Sequence, residues 1–377
     1  MSDKIVRIGC YSAFWGDSVT AAEQLVRHAD PPLNYLVADY LAEVTMGILA
    51  RKREQAAARS AKSAASRGGG GGGGYVEEVI TFVIQRLLPL CIEHGTTIIT
   101  NAGGLDPMAC KAAIEAAIEA MDIASPPKVA ASAGDKGEDV LPQQLPDSAR
   151  VLSLNAYTGA WPIVEALRGG AQIIVTGRAA DSALVLAPLA YEFDWRPTGD
   201  WDRLAAGSLA GHIIECGCQA TGGNFTDWRL SAQSGHGGWA NMGYPIVECR
   251  ADGSFVVTKP PRTGGVVSVG SVGEQMVYEV LDPGAYLLPD VVVDLRLVTL
   301  QQQGPDRVAV RGVRGRPPTP WIKVSGVHVD GYKMSGELVI GGLDAREKAL
   351  AVGDAILRRT RVILQKLGLD DFRQTNR

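Results

Sequence analysis

The chain has little that would bind a polyanion or cross a membrane. Its 37 Lys and Arg residues against 41 Asp and Glu give a net charge of −4, so there is no electrostatic case for nucleic acid or an anionic membrane. No apolar run approaches the roughly 20 residues of a membrane span. The first residues also lack the long apolar core of a signal peptide. Six scattered cysteines do not form a disulfide framework, so we expect a reduced, cytoplasmic protein.

Common catalytic signatures are also missing. Outside the glycine run at 68–74 there is no G-x-G-x-x-G, which disfavours dinucleotide chemistry, and no Walker lysine follows a glycine-rich turn. G-x-S-x-G is absent, which disfavours a serine hydrolase of the α/β type. We therefore expect no cofactor, with coenzyme A considered only as part of a substrate.

The order of apolar runs predicts an α/β fold. Five short runs are each followed by a glycine-containing or polar loop and then by a helical segment, which is the pattern of a mainly parallel sheet of about five βα units. These runs are 5–10, 33–39, 96–100, 128–132 and 172–176. A TIM-like barrel is the competing architecture, because functional loops also follow the strands there.

Composition changes after Tyr244, where short β-branched runs alternate with Gly, Pro and Asp-Gly turns. We predict an α/β domain over 1–243 and a β-rich subdomain with a C-terminal helix over 244–377. Within the first domain, 54–74 is Ala/Ser-rich and ends in seven glycines, which predicts a flexible insert between two helices.

Polar residues follow three of the predicted strands directly. Asp39 follows the second, Asn101-Ala-Gly103-Gly104 the third, and Arg178 with Asp181 the fifth. Loops at the carboxyl ends of parallel strands share one edge of the sheet, where ligands bind in α/β proteins. We predict that these loops converge on a single pocket together with the polar stretch that contains His212, with Arg178 holding an anionic group of the substrate. The structural alternatives are a helix N-cap at Asp39, a tight turn at Gly103–Gly104 and an internal Arg178–Asp181 ion pair.

The densest polar stretch is 211–225, GHIIECGCQATGGNF. If its first part is helical, His212, Glu215 and Cys216 share one face. His212 could activate the Cys216 thiol. The structural alternative is that Cys216 packs in the core, as free cysteines usually do. The spacing HxxECxC matches no common zinc site, so we predict no metal. Thr221, Gly222 and Gly223 would let the backbone approach a ligand closely, and Lys259 precedes a second Thr-Gly-Gly.

Several phrases resemble one known family over nearly the whole chain. They include IGCYSAFWGDS, YLVADYLAEVTMGILAR, TNAGGLDP, IIVTGRAADSAL, WDRLAAGSLAGHIIECGCQATGG and YPIVECRADGSFVVTKPPRTGG. These phrases are similar, in the same order, to those of the acyclic terpene utilisation protein A family. The resemblance implies association with the degradation of citronellol and geraniol through coenzyme A thioesters. The polyglycine tract departs from the family pattern, and we expect this protein to lack the smaller C-terminal domain that many members carry.

Together these observations predict an enzyme of terpenoid or branched acyl catabolism. It would act on an acyl-CoA thioester or its free acid by acid/base chemistry, in hydration, lyase or hydrolytic reactions. The alternative is a non-catalytic acyl-CoA-binding or carboxylase-partner subunit. A homo-oligomer and a separate partner carrying the C-terminal domain are further expectations. The candidate catalytic residues are Asp39, Asp181, His212, Glu215 and Cys216, and the candidate substrate-binding residues are Asn101, Gly103, Gly104, Arg178, Thr221, Gly222, Gly223 and Lys259.

Overall fold

Nine strands form one open sheet, half of it parallel and half antiparallel. The computed structural model describes residues 4–62, 73–136, 151–329, 331 and 333–372. The strands are β1 (Ile5–Cys10), β2 (Tyr35–Ala38), β3 (Thr97–Thr100), β4 (Val129–Ser132), β5 (Val151–Ala156), β6 (Ile173–Thr176), β7 (Ile246–Arg250), β8 (Phe255–Thr258), β9 (Tyr286–Leu287), β10 (Val292–Asp294), β11 (Thr299–Gly304), β12 (Arg307–Arg311), β13 (Arg314–Arg316) and β14 (Val324–His328).

The helices occupy the connections that the βα pattern predicted. They are α1 (Ala21–His28), α2 (Glu43–Lys62), a π-helix (Val79–Ile84) that leads into α3 (Gln85–His94), α4 (Pro107–Glu119), α5 (Trp161–Arg168), α6 (Ala183–Glu192), α7 (Trp201–Glu215), α8 (Trp228–Ala232), α9 (Val269–Val277) and α10 (Ala345–Lys366), with short 3-10 turns at Gly217–Gln219 and Gly238–Asn241. Among the helices of the described ranges, none is long and apolar enough to span a membrane.

The strand order of the large sheet is β11-β12-β8-β7-β1-β2-β3-β6-β4. The five strands from β1 to β4 in that order are parallel, and β7, β8, β12 and β11 continue the sheet in antiparallel pairs. This confirms the α/β prediction of a mainly parallel part followed by a β-rich part. In the described ranges the strand order ends at β11 and β4 without closing, so the TIM-like barrel is not the architecture.

Both faces of the parallel half are covered by helices. Val37 and Ile99 pack into a core with residues of α5, α6 and α7, whereas their neighbours Leu36 and Ile98 pack into a second core with residues of α1, α3 and α4. Strands that are buried on both faces read as continuous apolar runs, which is why the sequence revealed them. Each fully buried Val, Leu or Ile side chain contributes about 1.5–3 kcal/mol of transfer free energy to folding.

The chain divides into two compact units, Met1–Val329 and Asp330–Arg377. The sequence predicted a boundary between 243 and 244. In the structure β7 follows that point and pairs with β1 from Ile5 to Gly9, and β8, β12 and β11 extend the same sheet, so the residues from 244 to Val329 belong to the first unit. Two smaller sheets belong to the same unit, with the orders β13-β10-β9 and β14-β5.

The insert predicted at 54–74 falls partly outside the described residues, which omit 63–72. Before that gap, α2 continues through Lys62. After the gap, the carbonyl of Gly74 accepts a hydrogen bond from the Leu105 N–H at 2.7 Å, and the Val76 N–H donates to the Ala102 carbonyl at 2.8 Å. The returning chain is therefore tied to the loop that follows β3.

Helix α7 is buried from Leu204 to Glu215 and touches the start of α6 very closely. A Cβ added at Gly211 would lie 2.6 Å from the Ser182 carbonyl oxygen and 2.7 Å from its Cα. Both atoms are backbone, so they cannot move aside like a flexible side chain. Glycine at 211 thus sets how closely α7 approaches Ser182, and with it the distance between their neighbours Glu215 and Asp181.

We expect Gly211→Ala to lower the free energy of unfolding by about 1–3 kcal/mol, since overpacking a tight helix contact forces the backbone apart. The matched control is Gly273→Ala on α9, where the nearest atom to an added Cβ is Leu300 Cδ1 at 3.5 Å, an ordinary contact. That control should be neutral or stabilise the protein by up to about 1 kcal/mol. Urea unfolding of both variants measures the difference, and a Gly211→Ala protein as stable as the control would contradict the argument.

Candidate functional site

Three carboxyl groups from separate parts of the chain meet at the carboxyl edge of the parallel strands. Asp39 follows β2, Asp181 lies two residues before α6, and Glu215 is the last residue of α7. One carboxylate oxygen from each lies within 4.8 Å of those of the other two. Asp39 and Glu215 are buried, whereas 31% of the Asp181 side chain remains accessible. Asp181 is therefore the most accessible member of the trio.

Burial and mutual repulsion favour protonated forms of these groups. Burial raises the pKa of Asp39, although the Arg178 charge and the Asn101 hydrogen bond oppose it. Burial, the Asp39 charge and a hydrogen bond with Asp39 raise the pKa of Asp181 well above its ordinary value. Burial and the charges of Asp181 and Glu279 do the same for Glu215. Like charges this close cannot all ionise, so the trio retains protons that ordinary carboxyl groups lose well below neutral pH.

Asn101 fixes Asp39 and joins two neighbouring loops. Its Nδ2 donates to Asp39 Oδ1 at 2.6 Å, and its Oδ1 accepts from the Tyr40 N–H at 2.7 Å. The same Asp39 oxygen accepts from the Leu41 N–H at 3.0 Å. β2 and β3 are adjacent and parallel, so the residues that follow them are neighbours.

Arg178 supplies a buried positive charge beside the trio. Only 3% of its side chain is exposed, and its NH1 lies 3.3 Å from Asp181 Oδ1 and also donates to the Leu41 carbonyl. NH2 donates to the Tyr157 hydroxyl at 2.8 Å, and the guanidinium lies 4.2 Å from the centre of the Tyr157 ring. Burial lowers the pKa of Arg178, but the charges of Asp181 and Asp39 more than offset this. Arg178 is therefore a fixed cation.

Asp135, after β4, anchors the backbone of Arg178. Its Oδ2 accepts from the Arg178 N–H at 2.9 Å and from Asn155 Nδ2 at 2.8 Å. A Cβ at Gly177 would lie 2.7 Å from Asp135 Oδ1, so glycine is what allows this approach. Loops from four adjacent parallel strands thus contribute to one site.

His212 lies beside Glu215 as the helical spacing predicted. Its Nδ1 is 3.3 Å from Glu215 Oε1 and 3.4 Å from the Tyr286 hydroxyl. Burial lowers the pKa of His212 below its ordinary value, which favours the neutral imidazole. Tyr286 packs edge-on against the imidazole with ring centres 5.1 Å apart. A neutral His212 can donate to Glu215 or accept from Tyr286, depending on the tautomer.

Cys216 lies one residue beyond the end of α7, because the helix ends at Glu215 and Gly217 has a left-handed backbone (φ +53°). Burial and the Glu215 charge raise the pKa of the Cys216 thiol above its ordinary value. Reactive cysteines have electropositive surroundings that lower the pKa instead. These surroundings favour a protonated, weakly nucleophilic thiol, and the nucleophile role stays a prediction.

The glycines of the two predicted turns bring segments of the protein itself together. A Cβ at Gly103 would lie 2.5 Å from the Thr176 carbonyl oxygen, and one at Gly104, where φ is +53°, would lie 2.8 Å from the Gly74 carbonyl oxygen. At Gly222 and Gly223 an added Cβ would meet Ser231 Oγ and the Cys218 carbonyl oxygen, at 2.6 and 2.8 Å. These glycines have a packing role, and their predicted contact with substrate stays a prediction.

Thr221 and Lys259 form contacts of their own. The Thr221 hydroxyl bonds to the Gly243 carbonyl at 2.5 Å. Lys259 Nζ donates to the Thr263 carbonyl at 2.7 Å and lies 3.0 Å from Asp306 Oδ2. The Thr221 bond joins two segments that precede β7, whereas Lys259 holds the turn between β8 and α9 and links it to Asp306. Substrate binding by either residue stays a prediction.

Like Asp135, three more residues without a signal in the sequence reach the site. Tyr286 comes from β9, Tyr157 follows β5, and Lys323 precedes β14. Lys323 Nζ lies 4.4 Å from the centre of the Tyr157 ring, and its charge acts on both Asp181 and Glu215. Each arrives from a distant segment through sheet pairing, for which the sequence offers no periodic signal.

The geometry permits proton transfer, and the three carboxylates could also hold a cation. Oxygen ligands with this spacing suit a hard divalent ion, although Arg178 already provides a positive charge there. The expectation of no metal stays a prediction.

The Cys216 thiol should react slowly with iodoacetamide at pH 7 in the native protein, because its raised pKa leaves little thiolate. Peptide mass spectrometry would follow Cys216 and Cys218 separately, with urea-unfolded protein as the fully reactive control. Fast, selective alkylation of native Cys216 would instead support its predicted role as a nucleophile.

Removing the buried cation should destabilise the fold. We expect Arg178→Gln to lower the free energy of unfolding by about 2–4 kcal/mol, because Asp39 and Asp181 lose their compensating charge. Arg168→Gln on α5 is the control, since Arg168 forms an exposed pair with Glu165 that is worth about 1 kcal/mol or less. Unchanged stability of Arg178→Gln together with weaker ligand binding would point to the substrate-holding role predicted from the sequence.

A model of the family described as "Acyclic terpene utilisation family protein AtuA" matches residues 6–376 of this chain. The match includes every residue of the site described above. No curated protein matches the chain, and neither does any solved structure.

Proposed function

The chain belongs to the acyclic terpene utilisation family AtuA, and we propose that it is an enzyme that catalyses proton transfer on a terpenoid or branched acyl-CoA thioester or its free acid. The observation that carries this proposal is the trio of Asp39, Asp181 and Glu215, whose oxygens lie within 4.8 Å of one another and whose pKa values are raised. A carboxyl group whose pKa lies nearer neutrality is a more effective general acid than an ordinary one.

The carboxyl groups differ in exposure, which suggests different roles. Asp181 is the accessible one and donates or takes the proton at the substrate. Asp39 shares the proton with Asp181 and is held by Asn101. Glu215, beside neutral His212, is the second group of an acid–base pair. Environments that keep neighbouring carboxyl groups in different protonation states are a common arrangement for such chemistry.

Hydration of an α,β-unsaturated thioester shows how the carboxyl groups would act as acid and base. One carboxylate removes a proton from water as the water oxygen bonds to Cβ, and the acid delivers a proton to Cα. The π electrons of the double bond form the new C–H bond, so the reaction needs no oxidant or reductant. Arg178, fixed between Asp181 and Tyr157, limits the build-up of negative charge when a carboxyl group gives up its proton.

The test uses the purified chain with the coenzyme A thioesters of geranic and citronellic acids and with the free acids. We expect Asp181→Asn to lower kcat by about 100-fold or more, the range for removing a general acid or base. Glu165→Gln, on the exposed face of α5, is the control and should retain full turnover. Mass spectrometry of the products would identify the reaction.

Two outcomes would overturn the proposal. Turnover that survives Asp181→Asn would remove the carboxyl trio from the chemistry. Thioester binding by the wild-type chain without any turnover would support the non-catalytic acyl-CoA-binding subunit instead.

A further inference from the structure

Three donors outside the carboxyl trio converge on one exposed carboxylate. Glu43, the first residue of α2, accepts a hydrogen bond from the Tyr157 hydroxyl on Oε1. The same oxygen lies 3.9 Å from Arg178 NH2 and 3.9 Å from Lys323 Nζ. A neutral O–H donor and two cations around one oxygen form a site with the chemistry of anion recognition.

The Tyr157 ring organises this group of donors. Arg178 lies 4.2 Å from its centre and Lys323 lies 4.4 Å from it, so the ring contacts both cations. Arg178 also donates to the Tyr157 hydroxyl at 2.8 Å, and this leaves the hydroxyl hydrogen free to point at Glu43. Burial and the bond to Glu43 raise the pKa of Tyr157, which keeps it a donor at physiological pH.

Glu43 is the movable member of the group. Its side chain is 57% exposed, and that of Lys323 is 70% exposed, whereas Arg178 is buried and fixed. Burial would raise the pKa of Glu43, but the Tyr157 hydrogen bond and the two cations lower it overall, so the side chain carries a full negative charge. Exposed ion pairs are weak and exchange readily with solvent.

We infer that Tyr157, Arg178 and Lys323 form a binding site for the anionic group of the substrate, and that the Glu43 carboxylate occupies this site until the substrate displaces it. The inference rests on the proposed function for the identity of the substrate. Arg178 also contacts Asp181, so an anion at this site would lie beside the reactive carboxyl group. The anion is a carboxylate or a phosphate, since both accept hydrogen bonds from this set of donors.

If the substrate displaces Glu43, substitutions at the two exposed residues should change substrate affinity in opposite directions. Glu43→Gln removes the competing charge and should tighten the binding of geranic acid about threefold or more. Lys323→Ala removes an attracting cation and should weaken it by about the same factor, while Lys323→Arg should restore it. Lys111→Ala on α4 is the control for net charge, because Lys111 pairs with Glu115 on the helix surface.

Isothermal titration calorimetry at low salt would measure binding of geranic acid, its uncharged methyl ester and coenzyme A. If the two substitutions change the affinity for the acid in opposite directions and leave the affinity for the ester unchanged, the result supports a carboxylate site. The same opposite shifts for coenzyme A alone support a phosphate site. Equal affinities of wild type, Glu43→Gln and Lys323→Ala for both anions would overturn the inference, and so would weaker binding in Glu43→Gln. Opposite changes in affinity in a chain that turns over neither the thioesters nor the free acids would leave this inference standing and overturn the proposed function.

Discussion

The site depends on a buried cation placed among carboxyl groups that would otherwise repel one another. Three acids within 4.8 Å cannot share an interior without protons or a counter-charge. Arg178 supplies the counter-charge, with NH1 3.3 Å from Asp181 Oδ1. Asn101 stabilises Asp39 by donating a hydrogen bond to its carboxylate. Asp135 in turn holds the Arg178 backbone. The loops at this edge are therefore held in position by ion pairs and hydrogen bonds to one another.

This constraint explains why glycines occupy two positions next to the charged groups. Gly177 lets Asp135 approach the Arg178 backbone, and Gly211 lets α7 approach the residue next to Asp181. A methyl group at either position would separate the charged groups by pushing backbone or carboxylate atoms apart. Close approach of the backbone is thus a condition of the carboxyl cluster, whereas the Thr-Gly-Gly turn at 221–223 serves the packing of another segment.

Much of the fold could be predicted because it depends on local sequence. The five parallel strands are apolar runs, and their order along the chain places Asp39, Asn101 and Arg178 at one edge. The His212–Glu215 contact follows from helical spacing alone. Helical spacing does not extend to Cys216, because α7 ends before it and the backbone turns at Gly217.

The rest depends on partners that are distant in sequence. β5 alternates polar and apolar residues and gains its partner only when β14 pairs with it, far later in the chain. No local pattern indicates that pairing, so Tyr157 and Lys323 could not be assigned to the site. The same holds for Tyr286, because the short strand β9 that carries it is positioned by pairing with β10. Tertiary pairing decides such positions, and local propensity does not.

The register of β14 on β5 links this distant pairing to the chemistry of the site. Val324 lies opposite Ala156, so the next residues outward are Lys323 and Tyr157, and the Tyr157 N–H donates to the Lys323 carbonyl at 2.9 Å. A slip of one residue would turn every β14 side chain to the opposite face. Lys323 would then leave the Tyr157 ring, and Glu43 would lose one of its two cations. The loops that carry Asp39 and Asp181 follow parallel strands and Glu215 is held by α7, whereas the exposed cation Lys323 is positioned separately by this two-stranded ladder. Different pairings of the chain therefore hold the deep and outer parts of the site, and Arg178 joins the two parts through its contacts with Asp181 and Tyr157.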